Sequence, residues 1–93
     1  MSLAQRLLGL IGGEPPMIEA VGTIIDGPRA DHDGKSDTHL RVFRIDSLPD
    51  VEFRQVASPL AAERRRGDRV RVHYQLEGAN LARVAWIETA HSA

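Results

Sequence analysis

The chain has 93 residues, 42% of them apolar and 27% charged, with a formal net charge of −1 and no cysteine. That length and apolar content suit one small domain with a single core. The missing cysteine excludes a disulfide framework, a thiolate metal site and a cysteine nucleophile, and the small net charge argues against a general polyanion binder.

Residues 2–11, SLAQRLLGLI, are predicted to form a short amphipathic helix. Ser2 and Gln5 have capping-box spacing, and Gly12-Gly13 followed by Pro15-Pro16 stops the helix. At about 100° per residue, Leu3, Leu7, Leu10 and Ile11 share one face with Ala4 and Leu8, while Gln5, Arg6 and Gly9 lie opposite. So short a helix is marginal alone in water, so the apolar face needs a surface to cover it. A second copy, another protein or the rest of this chain would serve. A membrane is the weakest choice, because Arg6 alone is too little charge for an interfacial helix. Residues 1–16 thus read as a helix and a Gly/Pro linker ahead of a domain at 17–93.

Residues 17–26, MIEAVGTIID, are strand-like, with β-branched Val21, Ile24 and Ile25 and a bend expected at Gly22. Residues 27–37, GPRADHDGKSD, read as a polar loop. A second strand is predicted at 38–46 and a third at 51–57. A short helix follows over 58–67: Ser58 caps it, Pro59 suits its first position and Gly67 ends it. Arg64, Arg65 and Arg66 fall in its last turn, where positive charge opposes the dipole. Strand four is predicted at 68–76 and strand five at 81–89. In strand four, Val70, Val72, Tyr74 and Leu76 alternate with Arg69, Arg71, His73 and Gln75, the period of a strand with one buried and one wet face.

Three strands, a short helix and two further strands, with GDRVRV opening the fourth, form an order that resembles the oligonucleotide/oligosaccharide-binding (OB) fold over residues 17–89. The resemblance lies in element order and in that strand start, which many small barrels share. The soluble barrels attached to some bacterial membrane proteins (the NfeD type) look similar at this level but do not account for the N-terminal helix. An SH3-like barrel has equally short strands and fits the 58–67 helix less well. The OB resemblance implies a mainly β domain. Its five-stranded antiparallel Greek-key barrel has a short helix between strands three and four, preceded here by the amphipathic helix. It also implies ligand binding across strands two and three, between the loops at 27–37 and 77–80.

The charge pattern bears on that face. Residues 1–40 carry Arg6, Arg29 and Lys35 against six acids, whereas residues 41–83 carry nine arginines against six acids. Arginine suits planar, bidentate recognition of anions. Carried onto this chain, the face draws on Arg41, Phe43, Arg44, Glu52, Phe53 and Arg54, with Arg41, Phe43, Arg44, Phe53 and Arg54 as the expected binding residues. Cations for phosphate beside a ring for stacking are what single-stranded nucleic acid needs. Alternation alone does not place Phe43, Phe53 or Trp86 in the core or outside it.

Other chemistry has little support. The run from Asp31 to Asp37 fails as an EF-hand, because Gly34 stands at the fourth position and Val42 where the bidentate Glu belongs. His32 and His39 lack a zinc spacing. No GxSxG, Gly-rich phosphate loop or HExxH is present. No apolar run approaches the roughly 20 residues that cross a bilayer, and the N-terminus has no secretory pattern. The chain therefore reads as a cytoplasmic, bacterial-type binding module and not an enzyme, with no cofactor or metal. Its expected partner is single-stranded DNA or RNA, or another anion, on Arg41, Arg44 and Arg54 with Phe43 or Phe53 as the platform. The alternative is a protein-interaction module that docks or self-associates through Leu3, Leu7, Leu10 and Ile11.

Overall fold

A computed structural model describes residues 15–32, 39–58 and 63–90. It contains β1 (Ile18–His32), β2 (His39–Ile45), β3 (Leu48–Val56), β4 (Arg69–Gly78) and β5 (Leu81–Thr89). They pair in the order β1-β2-β3-β5-β4, and β4 returns to β1, so the sheet closes into a barrel. All pairings are antiparallel except β3 with β5, which run parallel and so correct the all-antiparallel barrel expected from the sequence.

Closure depends on β1, which serves two neighbours in succession. Its first part, Ile18 to Thr23, pairs with β4, and its second, Ile24 to His32, pairs with β2. At the changeover Ile24 N–H donates to Asp68 O, Gly67 N–H donates to Ile24 O and Asp46 N–H donates to Thr23 O. Side chains of the β2–β3 turn fasten the same point: Thr23 N–H donates to Asp46 Oδ1, and Ser47 Oγ donates to Val21 O. A Cβ at Gly22 would lie 2.7 Å from Ser47 Oγ and 2.8 Å from Asp46 Oδ1, so a side chain there would displace both groups from the bonds that they make.

β1 runs further than its sequence indicates, through Gly27 and Pro28 into the expected loop. The register with β2 shifts between Ile24 and Asp26 and again between Asp26 and Arg29, leaving Gly27 and Pro28 out of the ladder. A proline without an N–H is tolerated at such an irregularity. Gly27 has φ +80° and passes so close to β2 that a Cβ would lie 2.5 Å from Val42 O.

The interior is filled by Ile24, Phe43, Ile45, Phe53, Val70, Val72, Tyr74, Ala82 and Val84. Phe43 and Phe53 face each other across β2 and β3, with ring centroids 5.4 Å apart and planes 13° from parallel. Tyr74 meets Phe53 edge-on at 5.0 Å. Val70, Val72 and Tyr74 are buried as their alternation predicts. Leu76 departs from that series and is exposed, because the pairing with β5 shifts between Leu76 and Gly78 at the strand end.

Two helices were expected. The N-terminal one, with Leu3, Leu7, Leu10 and Ile11, lies outside the described residues, as do residues 59–62 of the second. The described end of the second is not helical: residues 63–65 are irregular and Arg66-Gly67 form a turn. The hydrogen bonds explain the difference. Gly67 N–H donates to Ile24 O on β1 instead of to a carbonyl one turn back. Asp68 accepts from Arg65 N–H through Oδ2 and donates its own N–H to Arg65 O. Gly67, at φ +100°, occupies the position in this turn that only glycine adopts without strain.

Phe53→Ala is expected to lower the unfolding free energy by about 3–5 kcal/mol, because it removes the ring that both other aromatics touch. Val56→Ala, exposed on the same strand, should stay within about 0.5 kcal/mol. Urea denaturation of the two variants makes the comparison, and equal effects contradict the packing. Gly27→Ala is expected to cost at least about 1 kcal/mol by the same assay, from backbone strain at positive φ with a carbonyl in contact.

Candidate binding face

The five residues expected to form one face divide between the interior, the outer surface and one end of the barrel. Phe43 and Phe53 are 1% and 0% exposed, so neither ring offers a face to a base. That corrects the expected stacking platform: a small barrel with four aromatic residues in the whole chain uses these two to fill its centre. Arg44 and Arg54 lie on β2 and β3 but are engaged. Arg44 Nη1 donates to Pro49 O at 3.1 Å. Arg54 Nε donates to Glu52 Oε2 at 2.8 Å, and that bond raises the pKa of the guanidinium above its ordinary value. Glu52 also lies 4.0 Å from Arg29, which in turn pairs with Asp26 at 3.1 Å. Arg41 stands apart from them, opposite Gln55 and two pairs beyond Phe43 and Phe53.

A different set of polar residues converges on the outer face of β1, β4 and β5. The registers align Glu19, His73 and Trp86 in one row, and Val21, Arg71 and Glu88 in the next, with Thr23 and Arg69 beyond. Trp86 reaches this face through an irregularity in β5. His73 pairs with Trp86 and Tyr74 with Val84, so Ala85 is an extra residue. Ala82 and Val84 point inward, and strict alternation from them would send Trp86 inward too. The bulge reverses the parity, and Trp86 is 47% exposed.

The indole lies flat on the His73 imidazole, with ring centroids 4.0 Å apart and planes 15° from parallel. The His73 side chain is thereby covered to 13% exposure. Glu88 ties the pair together: its Oε2 accepts from Trp86 Nε1 at 3.1 Å and lies 3.1 Å from His73 Nε2. On the other side, Glu19 Oε1 is 3.8 Å from His73 Nδ1. Arg71 Nε sits 3.1 Å from Glu19 Oε2, held by charge without an aligned hydrogen bond. Its Nη1 is 4.0 Å from Glu88 Oε1. Trp86, then His73 and Arg71, hold the Glu88 carboxyl below its ordinary pKa.

At the far end of this face, Arg69 is exposed, as are Arg65 and Arg66 in the adjoining turn. None of the three has a carboxylate partner for its side chain among the described residues. Strand four's alternation foretold this wet face with Arg69, Arg71 and His73, but the placement of Trp86 opposite them was not legible. Among the described residues no group of three His, Asp or Glu side chains is arranged to hold a metal ion, and no helix is long and apolar enough to cross a membrane.

The Glu88 network carries a pH signature. A carboxyl whose pKa is lower folded than unfolded stabilises fully above the ordinary carboxylate range, and that contribution is lost as pH falls through the depressed value. Glu88→Gln is expected to remove this part of the acid-side loss of thermal stability and to alter the emission of Trp86, the one tryptophan of the chain. Melting curves and fluorescence across the acid range measure both. An unchanged acid profile with unchanged emission excludes the network.

Comparison with known proteins yields no match for this chain among protein families, curated proteins or solved structures.

Proposed function

We propose that the chain is an OB-type binding module that takes single-stranded nucleic acid on the outer face of β1, β4 and β5. The strand order β1-β2-β3-β5-β4, with β3 and β5 parallel, supports the OB assignment. The observation that carries the binding reading is the half-exposed Trp86 ring, backed by His73 and set on a face with exposed arginines at its far end. His73 covers one side of the indole and keeps it flat, leaving the rest of the ring to stack on a base. Arg69, Arg65 and Arg66 serve the phosphates. Arg71 is occupied by Glu19 and Glu88 and positions the face without contributing free charge.

This moves the site from the β2–β3 face expected from the sequence, where Glu52 and Asp26 answer Arg54 and Arg29. Acidic neighbours of Trp86 keep the affinity modest, at best micromolar in physiological salt. Lack of cysteine fits a reducing cytoplasm as the compartment. The rival reading, self-association through Leu3, Leu7, Leu10 and Ile11, is carried by no observation on the described residues.

Titration with a single-stranded oligonucleotide is expected to quench Trp86 emission saturably, with affinity falling as salt rises. Trp86→Ala should cost about 1–3 kcal/mol of binding. Arg69→Ala should reduce the slope of log affinity against log salt by roughly 0.7, the counterion release of one single-strand phosphate contact. Absence of binding at low salt, or binding unaffected by Trp86→Ala, would falsify this function.

A further inference from the structure

Arg41 and Arg64 meet at one end of the barrel, and neither has a carboxylate partner among the described residues. Two pairs beyond Phe43–Phe53, past Val42 and Arg54, Arg41 stands opposite Gln55. Pro28, on the irregular stretch of β1, and Arg64, from the connection before β4, complete a cleft of about 20 Å³ whose floor is Phe43. The Arg64 guanidinium is anchored from behind: Nη1 donates to Thr89 Oγ1, and Nη2 to Ile87 O at 3.4 Å. Its Nε is buried without a hydrogen-bond partner. Arg41 is exposed and has no partner among the described residues.

The described lining of this cleft includes no Asp or Glu. Four of the other strand arginines meet carboxylates, Arg29 with Asp26, Arg54 with Glu52, Arg71 with Glu19 and Arg83 with Glu77, while Arg44 donates to Pro49 O and Arg69 has no carboxylate partner among the described residues. Two cations beside Phe43, with no carboxylate in the described lining, make a local positive field, stronger for its partial shielding from water.

We infer that this cleft is a phosphate-binding site, with Arg41 and Gln55 donating to the oxygens and Arg64 supplying charge behind them. The arginine fork matches phosphate geometry. The volume exceeds the 10–15 Å³ or so that one water needs, but not by enough for a sugar or base. Only the phosphate head therefore enters, and whatever it is attached to remains outside. These residues are distinct from the Trp86 face, so either site can fail without the other.

The test is titration of inorganic phosphate into the full-length, ¹⁵N-labelled protein at constant ionic strength, followed by NMR. The Gln55 side-chain amide and the Nε–H signals of Arg41 and Arg64 are expected to shift saturably, in the millimolar range. Arg41→Gln should abolish the shifts, with its spectrum otherwise retained, and Arg54→Gln should preserve them. A second arm compares 5′-phosphorylated and 5′-hydroxyl forms of one oligonucleotide. Tighter binding of the phosphorylated form, lost in Arg41→Gln, identifies a strand terminus as the source. Equal binding of the two forms, with the phosphate shifts present, identifies a free phosphate ligand. Shifts that do not saturate, that persist in Arg41→Gln, or that spread evenly over exposed arginines overturn the site.

Discussion

Everything in this fold depends on β1 bonding to two strands that stand on opposite sides of it. A five-stranded sheet left open would present two unpaired edges and one exposed apolar face, and closure removes both problems. The cost is sharp bending, and the chain meets it with glycine and irregular registers where ordinary residues would collide. Gly22 lets the β2–β3 turn press against β1, and Gly27 lets β1 pass against the β2 backbone. The Asp46 and Ser47 side chains then hold the changeover from outside.

Irregular registers also decide what each face displays. In a regular strand one residue of slip exchanges inside for outside. The extra residue at Ala85 does this for the second half of β5, turning Trp86 out and leaving Ile87 packed against the core. In β1, the shift between Ile24 and Asp26 leaves Ile25 exposed while Ile24 stays in the core. A large apolar side chain brought to the surface loses roughly 1.5–3 kcal/mol of burial. For Trp86 part of that loss is offset by stacking on His73 and by the bond to Glu88.

The charges do little for stability. Exposed ion pairs contribute about 0–1 kcal/mol each, well below the burial of Phe43 or Phe53. What the pairs do is cancel charge. Arg29, Arg54, Arg71 and Arg83 are answered by acids, so the net charge of −1 is spread over most of the surface as near neutrality. Among the described residues the exceptions are the turn around Arg65 and Arg66, Arg69 beside it, the cleft between Arg41 and Arg64, and Arg44, which donates to a carbonyl. The total count of arginines says little about where the unanswered cations are.

The sequence by itself determined the five strands, the order in which they occur and the burial of Val70, Val72 and Tyr74. Hydrophobic period and turn residues are local properties, so alternation along one strand is enough to read them. It also signalled Arg69, Arg71 and His73 as a wet face. The tertiary structure alone decided that Phe43 and Phe53 are core, since alternation through Leu40-Arg41-Val42-Phe43-Arg44-Ile45 has no consistent phase and Val42 is buried as well. It alone decided that Arg64, Arg65 and Arg66 leave the helical path, because Gly67 and Asp68 bond to a strand some forty positions earlier. Which arginines find acids, and on which side Trp86 emerges, depend on the strands that lie alongside and on one extra residue in a ladder. Those are relations between distant segments, and no local pattern carries them.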